Sequence, residues 1–197
     1  MVGPVSLDLP LSADAVQALK AGDIVALNGR IVTGRDRVHK YLVENKPDVK
    51  EMPFDLSGMV LYHCGPVMER TMDGFRAVAA GPTTSMRVEM YEARVIEGYH
   101  LRGIMGKGGM GEMTRRALKD NGCVYLHTMG GAAAYLAGKI KKTLGSWKLE
   151  EFGPTEAMWL FDVEGFPAIV TMDCRGNDIH REVEEASFRK FQELIGR

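Results

Sequence analysis

The sequence predicts an α/β domain built on a mixed sheet, parallel at its centre and flanked by helices. Three observations predict it. The middle of the chain repeats the order apolar strand, glycine-bearing loop, helix three times in succession, and strands alternating with helices of this length imply crossovers between parallel strands. Both ends read instead as short strands joined by turn residues, an antiparallel pattern. The composition, 45% apolar and 26% charged over 197 residues, supplies one sizeable core. No repeat, low-complexity stretch or Pro/Gly/Ser linker divides the chain, so residues 1–197 read as a single domain.

Taken in order, Asp23 to Leu27 and Arg30 to Thr33 are β-branched runs on either side of Asn28-Gly29. That pair readily supplies two positive φ angles, so a hairpin is expected there. The spacing of Val38, Tyr41 and Leu42 predicts a helix over VHKYLVENK, with Arg35 and Asp36 at its start. The three central units are FRAVAA, GPTTS, MRVEMYEARVIEG; then LRGIM, GKGG, MGEMTRRALKDNG; then CVYLHT, MGG, AAAYLAGKIKK. Gly98 and Asn121-Gly122 supply helix stops through left-handed caps. WLFDV, PAIVTMD and DIHREV read as three strands, separated by Gly165 and by the turn Cys174-Arg175-Gly176-Asn177. The final EEASFRKFQELIGR gathers Phe188, Phe191, Leu194 and Ile195 on one face of an amphipathic helix.

Composition also excludes. With 25 basic and 26 acidic residues, net charge -1, the chain has no global attraction to nucleic acid or to an anionic membrane, and any anion site must be local. The start lacks a basic stretch followed by an apolar one, and no later run approaches the roughly 20 apolar residues of a membrane span. A cytoplasmic location is expected. Cys64, Cys123 and Cys174 are odd in number and widely spaced, which argues for reduced thiols and against a zinc site or a disulfide framework.

In an open α/β sheet, loops leaving the carboxyl ends of the strands gather on one edge, where ligands bind. Gly81-Pro82-Thr83-Thr84-Ser85-Met86-Arg87 brings three hydroxyls and a guanidinium to such a loop, and Gly106-Lys107-Gly108-Gly109 brings an ammonium between residues that let backbone approach a ligand. Two helix N-termini side by side would add unpaired amides and partial positive charge. An arginine fork donating two parallel bonds and a lysine point charge together suit a small dicarboxylate. The hydroxyls have a second reading as helix N-caps, and Arg35 and Arg87 a second reading as solvated or structurally paired cations.

Nucleotide motifs fail on spacing. Gly108 follows Lys107 where a P-loop needs a hydroxyl, and the glycines do not make a dinucleotide fingerprint. The five histidines show no paired spacing. His63 and His127 stand near strand ends as candidate bases or ligands, with structural hydrogen bonding as the alternative. No metal ligands are assigned to this chain.

Together, TGRDRVHK at 33–40, HCGPV at 63–67, AAGPTTSMRVEMYEARVI at 79–96, GIMGKGGM at 103–110 and EGFPAIVTMDCRGN at 164–177 resemble the beta subunit of class I, iron-sulfur-dependent fumarate hydratases and the related L-tartrate dehydratases. The resemblance implies a single swivelling β/β/α domain and a hydro-lyase interconverting fumarate and L-malate, a step of the tricarboxylic acid cycle. It implies a partner alpha subunit carrying a [4Fe-4S] cluster, with no cofactor on this chain. An alpha2-beta2 assembly, inactive without the alpha subunit, is the implied state. Arg35, Thr84, Arg87 and Lys107 would hold the substrate carboxylates, and Thr83 would be the catalytic base. Asp36, His39, Gly81, Pro82, Ser85, Gly106, Gly108 and Gly109 would support these loops. Val88 and Arg37-Val38 depart from the family's usual residues, which leaves the acid open: L-tartrate or methylfumarate are alternatives. A non-catalytic anion-binding or assembly domain is the alternative from another class.

Overall fold

In the computed structural model, which describes residues 3–196, the chain opens with strand β1 (Val5–Asp8), helix α1 (Ala13–Ala18) and strand β2 (Ile24–Thr33). Helix α2 (Asp36–Asn45), strands β3 (Val60–Tyr62), β4 (Val67–Thr71) and β5 (Gly74–Ala79), and helix α3 (Glu89–Tyr99) follow. Then come β6 (Gly103–Gly106), α4 (Glu112–Asn121), β7 (Val124–His127), α5 (Ala133–Ala137), β8 (Ile140–Trp147), α6 (Leu149–Phe152), β9 (Met158–Met172) and α7 (Ile179–Leu194).

The mixed α/β class holds, but the sheet is not open. Its seven strands run β1-β2-β3-β6-β7-β9-β8, and β2 also pairs antiparallel with β9. That extra pairing joins β2, β3, β6, β7 and β9 into a partly closed barrel. Pairings β1 to β2, β2 to β3, β3 to β6 and β6 to β7 are parallel, and those of β9 with β2, β7 and β8 antiparallel.

Alternation along the strands divides the core in two, because successive side chains point to opposite faces. Val25, Leu27, Ile31, Val60, Tyr62, Met105, Val124 and Leu126 fill one cluster together with Trp159, Phe161 and Phe166. Val32, Leu61, Ile104, Tyr125 and Leu160 face the other way and are covered by α2, α3 and α4 through Leu42, Val95, Ile96 and Leu118.

Several sequence expectations are corrected. Asn28-Gly29 makes no hairpin: β2 runs straight through it, with an irregularity between Leu27 and Gly29 opposite β9. Gly29 sits at φ 109°, and a Cβ there would lie 2.8 Å from the Leu9 carbonyl, so a bulge against neighbouring backbone explains the glycine. FRAVAA pairs with β4 in a separate two-stranded sheet. The strand that belongs in its place is Val60–Tyr62, too short to show a period. Gly98 is helical, and α3 ends instead with His100 in the left-handed region at φ 53°. Gly122 does cap α4, at φ 59°. KIKK belongs to β8, since α5 stops at Ala137. Gly165 lies inside the single strand β9, and DIHREV begins α7, whose first amides at His180 and Arg181 are accepted by the Asp178 carboxylate.

Candidate active site

Three parallel strands end at one mouth of the barrel. After β2, Arg35 caps α2; after β3 come His63 and Cys64; after β6 comes Lys107. The segment Gly81–Ser85 lies across these ends and is stitched to them by backbone. The Thr83 N–H donates to the His63 carbonyl at 2.7 Å and the Ser85 N–H to the Lys107 carbonyl at 3.0 Å. Isolated bridges pair Cys64 with Pro82 and Thr84 with Lys107. The GPTTS and GKGG loops are thus neighbours, although GPTTS follows β5 of the separate two-stranded sheet and not a strand of the barrel.

Asp36 lies between two guanidiniums, 2.7 Å from Arg87 Nη2 and 3.9 Å from Arg35 Nη2. Arg35 is also held by Glu156 at 3.3 Å, a partner with no local sequence signal. Arg87 is half exposed and Arg35 mostly covered. Lys107 makes no ion pair among the described residues, and its stem runs past Gly130, where a Cβ would stand 3.4 Å from Lys107 Cδ. The structure therefore brings Arg35, Asp36, Arg87, Thr83, Thr84 and Lys107 to one rim.

None of the three hydroxyls caps a helix. Thr84 is the N-cap of the 3-10 turn Ser85–Val88 but makes no side-chain cap bond. The Thr83 hydroxyl donates to the His63 carbonyl at 3.2 Å. Buried Ser85 contacts His63 Nδ1 and the Tyr125 hydroxyl, each at 2.9 Å. Thr84 faces solvent. The anticipated cradle of open amides is not there: the α4 N–H groups of Gly111 and Thr114 donate to the Glu89 carboxylate at 2.8 and 3.2 Å, and the Thr114 hydroxyl donates to it at 2.6 Å.

The glycines are there for room. Gly106 has no space for a Cβ beside the Ser85 hydroxyl, and one on Gly109 would meet the His180 ring at 2.6 Å. Gly108 and Gly109 have φ 84° and 74°, consecutive left-handed positions that hold Lys107 on a tight loop.

Beneath the rim lies a cluster the sequence did not reveal. His39, His63 and Glu92 are buried and converge, with both imidazole Nε2 atoms 3.0 Å from one Glu92 oxygen, Oε2. Neither ring N–H is aligned squarely on that oxygen. Burial alone would raise the Glu92 pKa, but the imidazoles of His63 and His39 overcome it and hold the carboxyl well below its usual range. Burial works against a charged His39, and the Glu92 carboxylate outweighs it, so the His39 pKa is raised. The only possible hint was Glu92 falling on the apolar face of its helix.

The thiols do not assemble a metal site. Cys64, Cys123 and Cys174 are buried and unpaired, and the one group of three candidate ligands among the described residues is His39, His63 and Glu92. Burial pushes the Cys64 thiol up to about 12, against the pull of Arg35. Burial raises the Cys123 thiol as well, and protonated thiols such as these do not suit an iron-sulfur cluster, whose ligands are thiolates.

Fold and rim together define a class: an α/β domain that presents cations and hydroxyls from adjoining segments at one mouth of a partly closed barrel. A family model described as Fumarase C-terminus matches residues 2–183. A putative fumarate hydratase class I of Geobacillus stearothermophilus is 45% identical over 191 residues, 96% of this chain but 36% of that protein. A putative L(+)-tartrate dehydratase subunit beta of Methanocaldococcus jannaschii is 41% identical over 187 residues, covering 94% of this chain and 96% of that one. The L(+)-tartrate dehydratase subunit beta of Escherichia coli K12 is 33% identical over 177 residues, 89% and 86% of the two chains. The chain belongs to the fumarase C-terminus family, a family of hydro-lyase subunits and domains. It spans about a third of the length of the Geobacillus relative.

Proposed function

We propose that this chain is the beta subunit of a class I fumarate hydratase, hydrating fumarate reversibly to L-malate at a site completed by an alpha subunit. The observation that carries the reading is the rim itself, where Arg35 and Arg87 flank Asp36 beside Thr83 and Lys107. In this reading the Arg87 and Arg35 guanidiniums and the Lys107 ammonium hold the two substrate carboxylates, and the Thr84 hydroxyl adds a donor. Thr83 handles the proton. Its hydroxyl hydrogen is directed to the His63 carbonyl, which leaves the oxygen lone pairs toward the rim, and the surrounding cations lower the cost of negative charge there. The reading keeps the [4Fe-4S] cluster on the alpha subunit; the thiols of this chain are buried, and burial raises those of Cys64 and Cys123. One swivelling β/β/α domain, an alpha2-beta2 assembly and a cytoplasmic site complete it. Among the described residues no helix is long and apolar enough to cross a membrane.

A specific observation favours L-tartrate as the alternative substrate: relatives named tartrate dehydratase subunit beta are separate chains matched over 86–96% of their length. Anaerobic co-expression with an alpha chain, followed by assays on fumarate, L-malate, L-tartrate and methylfumarate, tests the proposal. The complex is expected to turn over fumarate fastest and this chain alone to be inactive. Turnover by the isolated chain at an ordinary rate, or a preference for tartrate, would refute it in the corresponding part.

A further inference from the structure

We propose that Glu92 is a positioning residue for the rim: through His39 it fixes the Arg35 junction, and through His63 it fixes the Thr83 loop, so that the two are set at one spacing. The proposal rests on the reading that Arg35 and Thr83 act on substrate.

The connections are continuous. The Arg35 carbonyl accepts from the His39 backbone N–H at 3.0 Å and from Nδ1 of the same ring at 2.8 Å. A carbonyl only accepts, so Nδ1 carries a proton. His39 Nε2 faces Glu92 Oε2. On the other side of that oxygen, His63 binds the Thr83 loop twice. Its carbonyl accepts from the Thr83 amide and hydroxyl, and its Nδ1 meets the Ser85 hydroxyl. Arg35 follows β2 of the barrel and Thr83 follows β5 of the separate two-stranded sheet, and α3 supplies the one carboxylate that both segments reach through a histidine.

Charge and valence fix the protons. Each Nε2 faces a carboxylate oxygen and therefore carries a proton. His39, protonated at both nitrogens, is an imidazolium. Glu92 is the one buried carboxylate paired with either ring, so a second buried cation beside it would be uncompensated. His63 is then neutral, with its proton on Nε2 and Nδ1 accepting from the Ser85 hydroxyl. Ser85 in turn accepts from the Tyr125 hydroxyl at 2.9 Å. Every hydrogen has one direction, so the chain from Tyr125 to Arg35 admits a single arrangement. The raised His39 and lowered Glu92 pKa values agree with that charge state.

Glu92→Gln preserves shape and removes the charge, and two readouts test it. In the isolated chain, nitrogen-15 NMR of the histidine rings at about pH 6.5, the unperturbed histidine value, is expected to show His39 doubly protonated and His63 as the Nε2–H tautomer. In the variant, His39 should become neutral and the Arg35 and Thr83 amides should both shift, whereas the core control Val95→Ala on the same helix shifts neither pair. In the complex with the alpha subunit, Glu92→Gln should lower kcat on the order of 10-fold to 100-fold with KM changed by less than about 3-fold, because misplacement of reacting groups costs rate more than binding. Ser85→Ala cuts only the Thr83 side and serves if Glu92→Gln folds poorly, with a smaller loss of kcat expected.

A neutral His39 in the wild type would overturn the proposal, as would an unchanged kcat in both variants of an active complex. So would one equivalent of zinc retained on the chain through dialysis against a chelator, since the same three side chains would then be metal ligands. If the wild-type complex hydrates nothing while the NMR result stands, the functional reading fails and the coupling between the two loops survives.

Discussion

Helices α3 and α7 are both amphipathic, yet they end in opposite situations. Eleven-residue α3 buries Val95, Ile96 and even the charged Glu92 between its neighbours. Sixteen-residue α7 buries nothing: Phe188, Phe191 and Leu194 are 58%, 54% and 76% exposed. Periodicity therefore reports that a helix has an apolar face without reporting what covers it. For α3 the cover comes from α2 and α4, and it is close enough to make an ion worth burying beside two imidazoles. The α7 segment from residue 184 onward lies beyond the stretch matched by the family model.

Mutations sharpen this contrast. The largest effect is expected from Glu92→Ala, which leaves His39 without its counter-charge in a sealed interior; urea unfolding should show a loss of about 3–5 kcal/mol. Val95→Ala, fully buried on the same helix, should cost about 2 kcal/mol through lost burial and the cavity left behind. The pH dependence comes next. His39 has a raised pKa in the folded chain, so its contribution is complete below the unfolded value near 6.5 and is lost as pH rises through the folded one. Glu92, lowered, contributes above about 4.3 and loses its contribution only as pH falls toward its folded value. With His63 and Asp36 also facing His39, the cluster is expected to stabilise the chain most between about pH 4.5 and 6.5. A urea midpoint that declines from pH 6.5 to 8.5 in the wild type and stays level in Glu92→Gln would bear this out; parallel curves would not. The smallest effect belongs to α7. Phe188→Ser should change the stability of the isolated chain by less than about 0.5 kcal/mol, and a cost matching Val95→Ala would show the helix to be packed after all.

How far the sequence could be read follows the same division between local and distant causes. The GPTTS and GKGG loops, the start of α2 at Asp36 and the cap at Gly122 were legible because each is decided within a few residues. Gly29 and Gly165 were misread because a positive φ is equally the mark of a turn and of a bulge, and the choice between them is made by β9 and β2, more than a hundred residues apart in the chain. The strand Val60–Tyr62 was missed because three residues carry no period. At the rim, Arg35, Arg87 and Lys107 are singled out by their places at loops that start helices, whereas Glu156, Glu89 and Glu92 have no such local signal. A carboxylate on a helix looks like solvated surface until the loop it captures is known, and here Glu89 holds the start of α4 while Glu92 holds two histidines.

The lateral bond between β2 and β9 has a mechanical meaning. Five strands joined edge to edge behave like staves in a hoop: none can lean outward unless its neighbours yield too. Arg35 and Lys107 follow the ends of β2 and β6, two such staves that both pair with β3, so the distance between them is set by the hydrogen bonds of that strand within the closed ring. Any approach toward a second polypeptide must then carry the whole mouth as one piece, and amide exchange in β3 and β6 should wait for the hoop itself to open.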